Sequence, residues 1–193
     1  SGKEVLRVAE LADGDWIART AAAHAIPERA LAAYAGAALA VGESAPGCRL
    51  GWNTLAAIGL VESEHGAFGG ARLAADGLVA PPILGAALSG GATARVADTD
   101  QGAWDGDARW DRALGPMQIL PATWAAHARD GNGDGRADPH QFDDAALTAA
   151  AYLCSGGGDL GVEADWIAAV GAYNPGSDYN NRVAEAASAY HQP

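Results

Sequence analysis

Basic residues, cysteines and long apolar runs are all scarce in this chain. Twelve Lys and Arg stand against 24 Asp and Glu, a formal net charge of -12 over 193 residues. Without a basic surplus, counterion release cannot drive binding to nucleic acid or to an anionic membrane surface. No apolar run approaches the ~18 residues that a membrane span needs. No secretory leader is legible, but Ser1-Gly2-Lys3 reads as a trimmed or recombinant start, so this says little about where the natural protein lives. Internal repeats and long linkers are absent too. With 49% hydrophobic residues, one domain over 1–193 with a sizeable core is expected. No Cys-x-x-Cys, Cys/His or His-Glu-x-x-His spacing occurs, which argues against zinc and against a metalloenzyme.

The two cysteines border loops: Cys48 follows Ala45-Pro46-Gly47, and Cys154 precedes Ser155-Gly156-Gly157-Gly158. A bridge between them would close about a hundred residues and stabilise by about 4–5 kcal/mol on the chain-entropy argument. Two buried thiols are the alternative. A disulfide implies an exported setting, extracellular or in the cell envelope.

Pro27 to Val41 reads as a helix, with Pro27 in the first turn, alanines in the body and Gly42 at the end. Asn53 or Thr54 suits the cap of a second helix running to about His65. Ala67 to Ala113 has a different texture. Asp76-Gly77, Pro81-Pro82 and Ser89-Gly90-Gly91 mark turns in an irregular or short-stranded insertion. Helical signals return at Pro121 to Arg129, Asp144 to Cys154, Glu163 to Tyr173 and Ser177 to Tyr190.

The second helix carries Ile58-Gly59-Leu60-Val61-Glu62-Ser63-Glu64-His65-Gly66 and is expected to stop at that last glycine. At about 100° per residue, Leu55, Ile58 and Val61 share a face and Glu62 lies about 40° from its centre. Glu64 lies about 120° away, so both acids cannot enter one site. A carboxylate among aliphatic side chains is costly to ionise, so its pKa rises towards neutrality. Cleavage of a glycosidic bond needs such a proton-holding acid. The plainer alternative is a helix-end Glu leaning into solvent.

Asp130-Gly131-Asn132-Gly133-Asp134-Gly135-Arg136 places oxygens at positions 1, 3 and 5 and glycine at 6, the first half of an EF-hand calcium loop. Position 7 would give the Arg136 carbonyl. Gln141 stands where position 12 usually has Glu, and Asp144 could close the site, with Asp138 and Asp143 as competitors. A structural Ca2+ over 130–144 would tie the helix of Trp124 to that of Tyr152. An ordinary solvated turn is the alternative. Leu114-Gly115-Pro116-Met117-Gln118-Ile119-Leu120-Pro121 presents the Gln118 amide, either to a ligand or to loop backbone. Ala172-Tyr173-Asn174-Pro175-Gly176-Ser177-Asp178-Tyr179 sets two tyrosines and an amide around a tight turn. Tyrosines stack on sugars, though lone ones more often fill cores.

In this order, Glu62-Ser63, Gly115-Pro116-Met117-Gln118-Ile119-Leu120-Pro121-Ala122-Thr123-Trp124, the Asp-rich loop and Ala172-Tyr173-Asn174-Pro175-Gly176 resemble the lytic murein transglycosylases. The likeness is to the membrane-bound lytic transglycosylase B type, especially its secreted actinobacterial forms, and covers roughly Gly51 to Tyr190. It implies a mainly α (α+β lysozyme-like) fold with an irregular or short-β insertion and an embedded EF-hand-like loop. It also implies cleavage of the MurNAc–GlcNAc β-1,4 bond of peptidoglycan without water. By the same resemblance Glu62 matches the catalytic acid, and Gln118, Tyr152, Tyr173, Asn174 and Tyr179 match residues of the sugar cleft. Asp130, Asn132, Asp134, the Arg136 carbonyl and Asp144 match a lengthened calcium loop. The expected partners are peptidoglycan glycan strands, met by a monomer with no organic cofactor. A muramidase using water and a second carboxylate from Asp98, Asp100 or Asp111 is the nearest rival. A non-catalytic, calcium-stabilised wall-binding module is the other.

Overall fold

The computed structural model describes residues 5–191, and the reading of Ser1-Gly2-Lys3 lies outside the described residues. Seven α-helices occur among those residues: α1 (Gly14–His24), α2 (Glu28–Ser44), α3 (Trp52–Ser63), α4 (Pro121–His127), α5 (Phe142–Cys154), α6 (Glu163–Tyr173) and α7 (Ser177–His191). The one sheet pairs β1 (Arg72–Leu73) and β2 (Val79–Ala80) antiparallel, Arg72 opposite Ala80 and Leu73 opposite Val79. The chain is therefore mainly helical with a short-stranded insertion, as expected. No described helix is long and apolar enough to cross a membrane.

α1 is a helix that the sequence reading missed. Its start is set by Asp13, which accepts from the Trp16 backbone N–H at 2.8 Å, the standard use of an N-cap carboxylate. α2 is the central element, buried without interruption from Ala30 to Ala37. Its small residues let α5, α3 and the Val8–Glu10 turn approach closely. At Gly36 the Val8 carbonyl occupies the place of a Cβ, so no other residue fits there. Two expected boundaries are corrected. Pro27 takes the cap position rather than the first turn. Gly42 does not end α2, which continues to Ser44 and stops before Pro46, a residue with no N–H to extend it.

α3 is corrected at both ends. Gly51 is its cap residue, and neither Asn53 nor Thr54 caps it. Asn53 donates instead to the Ala187 carbonyl of α7 at 3.0 Å. Thr54 accepts from the Trp166 indole N–H of α6 at 3.0 Å. Both side chains serve tertiary contacts, which the local sequence cannot reveal. At the other end the helix stops at Ser63, ahead of Gly66, because Glu64 (φ 53°) and His65 (φ 58°) both turn left-handed. α5 likewise starts earlier than read, with Gln141 accepting from the Asp144 N–H as its cap.

Two links brace the core from outside. Cys48 and Cys154 form a disulfide across 106 positions, joining the turn before α3 to the end of α5. Arg29 of α2 holds the buried Asp143 carboxylate of α5 with two bonds of 2.7 and 2.6 Å and reaches the Ala75 carbonyl of the hairpin. The hairpin is thereby fixed beside the start of α5. Beyond β2 the chain is irregular up to α4, held by single bridges such as Leu84 to Leu114 and Ala97 to Trp110.

Candidate active site

Glu62 sits in the last turn of α3, half-buried, while Glu64 is exposed on the left-handed turn beyond it. Burial pushes the Glu62 carboxyl up to about 7. Two neighbours on α7 oppose that rise: the Tyr179 hydroxyl, and next the positive charge of Arg182. No carboxylate contributes. The Tyr179 hydroxyl is buried and lacks a well-aligned hydrogen-bond partner, although it faces the Glu62 carboxyl closely enough to favour its ionised form. Near neutrality Glu62 can therefore both hold and release a proton.

Tyr173 ends α6 and donates its hydroxyl to the Met117 carbonyl. Burial, and after it the Glu62 charge, raises its pKa well above the usual tyrosine value, so it stays neutral. Its ring lies 5.9 Å from that of Tyr152, whose hydroxyl donates to the Ala172 carbonyl at 3.0 Å. Gln118, Ile119, Leu120, Thr123, Tyr152, Ala172 and Tyr173 line a cleft of about 110 Å³. Three of the five sugar-cleft residues expected from the sequence thus meet in one depression, and Tyr173 connects them to Glu62. Tyr179 stands instead beside the carboxyl.

Asn174 joins neither group. It is exposed, and its side-chain oxygen accepts from the Gly176 N–H at 3.1 Å, shaping the turn into α7. Gln118 has two roles at once. Its backbone is left-handed (φ 49°), and its amide donates to the Gly115 carbonyl at 2.9 Å, with longer reaches to Ile83 and Ala113. The loop-backbone alternative describes the nitrogen end, while the residue still forms part of the cleft wall.

The Asp-rich loop between α4 and α5 is a series of side-chain-closed turns. Asp130 accepts from the Gly133 and Gly135 N–H groups at 2.7 and 2.8 Å. Asn132 accepts from Asp134, and Asp134 from Arg136, at 2.9 and 2.8 Å. Asp144 is fully buried and folds back onto the loop, accepting from Gly131, Asn132 and Asp138 at 2.7, 3.2 and 2.9 Å. Its rivals are engaged elsewhere: Asp143 is paired with Arg29, and Asp138 accepts from His140 at 2.8 Å. The donors Asp130, Asn132, Asp134 and Asp144 are all hard oxygens, the set that Ca2+ prefers.

Among the described residues, the three acids whose oxygens converge within 4.8 Å are Asp98, Asp100 and Asp111, and those of the Asp130 loop do not. These oxygens build their own loop. Buried Asp111 accepts from the Thr99 N–H and hydroxyl at 2.9 and 2.7 Å. Asp98 accepts from Gln101 and Gly102, and Asp100 from Gly102 and Trp104.

The sequence reading passed over Arg182. Its position three residues after Tyr179, the spacing that stacks side chains on one helical face, was a signal that could have found it.

Residues 88–188, just over half of the chain, match the model of a family described as the Transglycosylase SLT domain. No curated protein and no solved structure matches the chain. The matched segment holds Gln118, the Asp-rich loop, Tyr152, Tyr173, Asn174 and Tyr179, and Glu62 lies upstream of it.

Proposed function

The chain belongs to the transglycosylase SLT domain family, and from that membership we propose that it is a peptidoglycan lytic transglycosylase of the membrane-bound lytic transglycosylase B type, in an exported actinobacterial form. The observation that carries this reading is the half-buried Glu62, whose carboxyl burial pushes up to about 7 against the opposing Tyr179 hydroxyl and Arg182 charge. Protonated Glu62 gives its proton to the glycosidic oxygen, and the bond from that oxygen to C1 of MurNAc breaks. The positive charge left on the sugar is met by the substrate's own N-acetyl group and by the neutral hydroxyls of Tyr173 and Tyr179. Ionised Glu62 then removes the proton of the MurNAc 6-hydroxyl, whose oxygen bonds to C1. Acid and base are the same group, and a 1,6-anhydro ring forms with no water consumed.

Gln118, Tyr152 and Tyr173 supply amide and aromatic surface to the glycan, and Asn174 shapes the turn that presents Tyr179. A calcium ion would be held by Asp130, Asn132, Asp134, the Arg136 carbonyl and Asp144, and its charge would offset acid repulsion where α4 joins α5. The disulfide fits an oxidising compartment, outside the cell or in its envelope. Strong negative charge leaves contact with an anionic wall to short-range sugar recognition.

Mass spectrometry of soluble products from purified peptidoglycan tests the reading. Muropeptides ending in 1,6-anhydroMurNAc are expected. Reducing-end MurNAc, one water heavier, would overturn it in favour of a hydrolase.

A further inference from the structure

His65 is a buried titratable residue that the proposed chemistry leaves unused. It lies three positions after Glu62, on the left-handed turn that closes α3. Its Nδ1 is 2.8 Å from the Tyr34 hydroxyl of α2, and its Nε2 is 3.1 Å from the Tyr190 hydroxyl of α7. A neutral imidazole offers one donor and one acceptor at opposite edges of a rigid ring, which suits a bridge between two hydroxyls. Burial lowers the His65 pKa to about 4, so the ring is neutral over the working range.

We infer that His65, through this bridge, is a positioning residue that fixes the direction in which Glu62 points. The inference rests on the reading of Glu62 as the acid. Two successive non-glycine residues in the left-handed region carry a steric cost and persist only where their surroundings hold them. The backbone supplies part of that hold: Glu64 and His65 donate to the Leu60 and Gly59 carbonyls, and Gly66 donates to the Ser63 hydroxyl. The side-chain bridge supplies the rest, by tying the turn to helices on both flanks. Tyr34 is wholly buried, and among the described residues its hydroxyl has His65 as its hydrogen-bond partner. That hydroxyl fills the space where residue 59 would carry a Cβ, so Gly59 is what lets the bridge reach α3. Phe142 packs edge-on against the Tyr34 ring at 5.3 Å, and Trp52 and His24 flank Tyr190. Tyr34 also lies near enough to Tyr173 to raise its pKa, which brings the bridge to the edge of the site. The groups that set the Glu62 charge, Tyr179 and Arg182, come from α7, the helix that also carries Tyr190. Loosening the turn therefore moves Glu62 relative to both.

The test compares His65→Asn and Tyr190→Phe with wild type in the intact protein. Asparagine accepts a left-handed backbone but is too short to reach both tyrosines, so the bridge is lost without added backbone strain. Two readouts are taken well below the melting temperature. One is the ¹³C titration of the Glu62 carboxyl, assigned by its disappearance in Glu62→Gln. The other is kcat and KM on purified glycan strands. In His65→Asn the Glu62 midpoint is expected to shift by at least half a unit, with kcat down at least tenfold and KM within twofold. Tyr190→Phe is expected to move both in the same direction by less, and it decides the matter if His65→Asn does not fold. A folded variant with lowered stability but an unmoved midpoint and kcat would overturn the inference, because a purely structural histidine behaves that way. A wild-type protein that releases no anhydro product would instead sink the functional reading. The carboxyl titration would still decide the role of His65.

Discussion

The Tyr179 hydroxyl faces the Glu62 carboxyl without a well-aligned hydrogen bond, and it favours the ionised form against the burial that keeps the proton on. A poised contact of this kind can tighten as negative charge appears on Glu62 after proton transfer.

Replacing Tyr179 with Phe removes a group that lowers the Glu62 pKa, so that pKa rises. Activity that needs protonated Glu62 falls off on the alkaline side as the acid ionises. In Tyr179→Phe that limb of the kcat profile should move to higher pH, while the maximum drops roughly tenfold or more. A profile superimposable on wild type would show that the hydroxyl does not address Glu62.

Glu62→Gln should lose turnover by roughly two to four orders of magnitude and should also change stability in a pH-dependent way. The folded pKa of about 7 lies above the ordinary value of 4.5. The stabilisation tied to its proton is therefore complete below pH 4.5 and disappears as the pH rises through 7. Relative to wild type, Glu62→Gln should gain up to about 3 kcal/mol at pH 8 and nearly nothing at pH 4. Denaturant titrations at the two pH values check this, and equal differences at both would mean that Glu62 is not desolvated.

Calcium should raise the melting temperature. A ligand that binds only the folded state at a hundred times its Kd stabilises by about 2.7 kcal/mol. Asp144→Asn should abolish most of the calcium response in a thermal scan. A melting temperature indifferent to calcium and chelator would leave the Asp130 loop as an ordinary turn.

Reducing the Cys48–Cys154 bridge should cost roughly 2–5 kcal/mol. Thermal unfolding with and without reductant measures it. No change would mean that packing of α2 against α5 already fixes the ends that the bridge joins.

The sequence made the type and order of most helices legible, because their apolar periodicity and flanking Gly or Pro are local properties. It was less reliable on side-chain direction. Helical spacing alone puts Glu62 near the core, yet α3 is buried almost all round through Gly59. What leaves Glu62 reachable is its position in the last turn. The angle that excludes Glu64 holds only for a continuing helix, whereas the left-handed backbone is what turns it outward. Asp144 could not be separated from Asp143 by reading, because the residue that occupies Asp143 is Arg29, 114 positions away. The roles of Asn53, Thr54 and Tyr34 were hidden for the same reason: each hydrogen-bonds a residue on another element.

The segment ahead of α1 has a mechanical consequence. Val8 is fully buried and donates its N–H to the Gly131 carbonyl at 2.9 Å, and Leu6 passes against Gly133. Tension applied to the chain upstream of Val8 would load the Asp-rich loop before it reached the helices. If the loop holds the calcium proposed above, a protein pulled from that end while engaged on a wall strand would release the ion before its core gave way. Force spectroscopy with the handle at the N-terminus should then show an early, calcium-dependent step ahead of global unfolding.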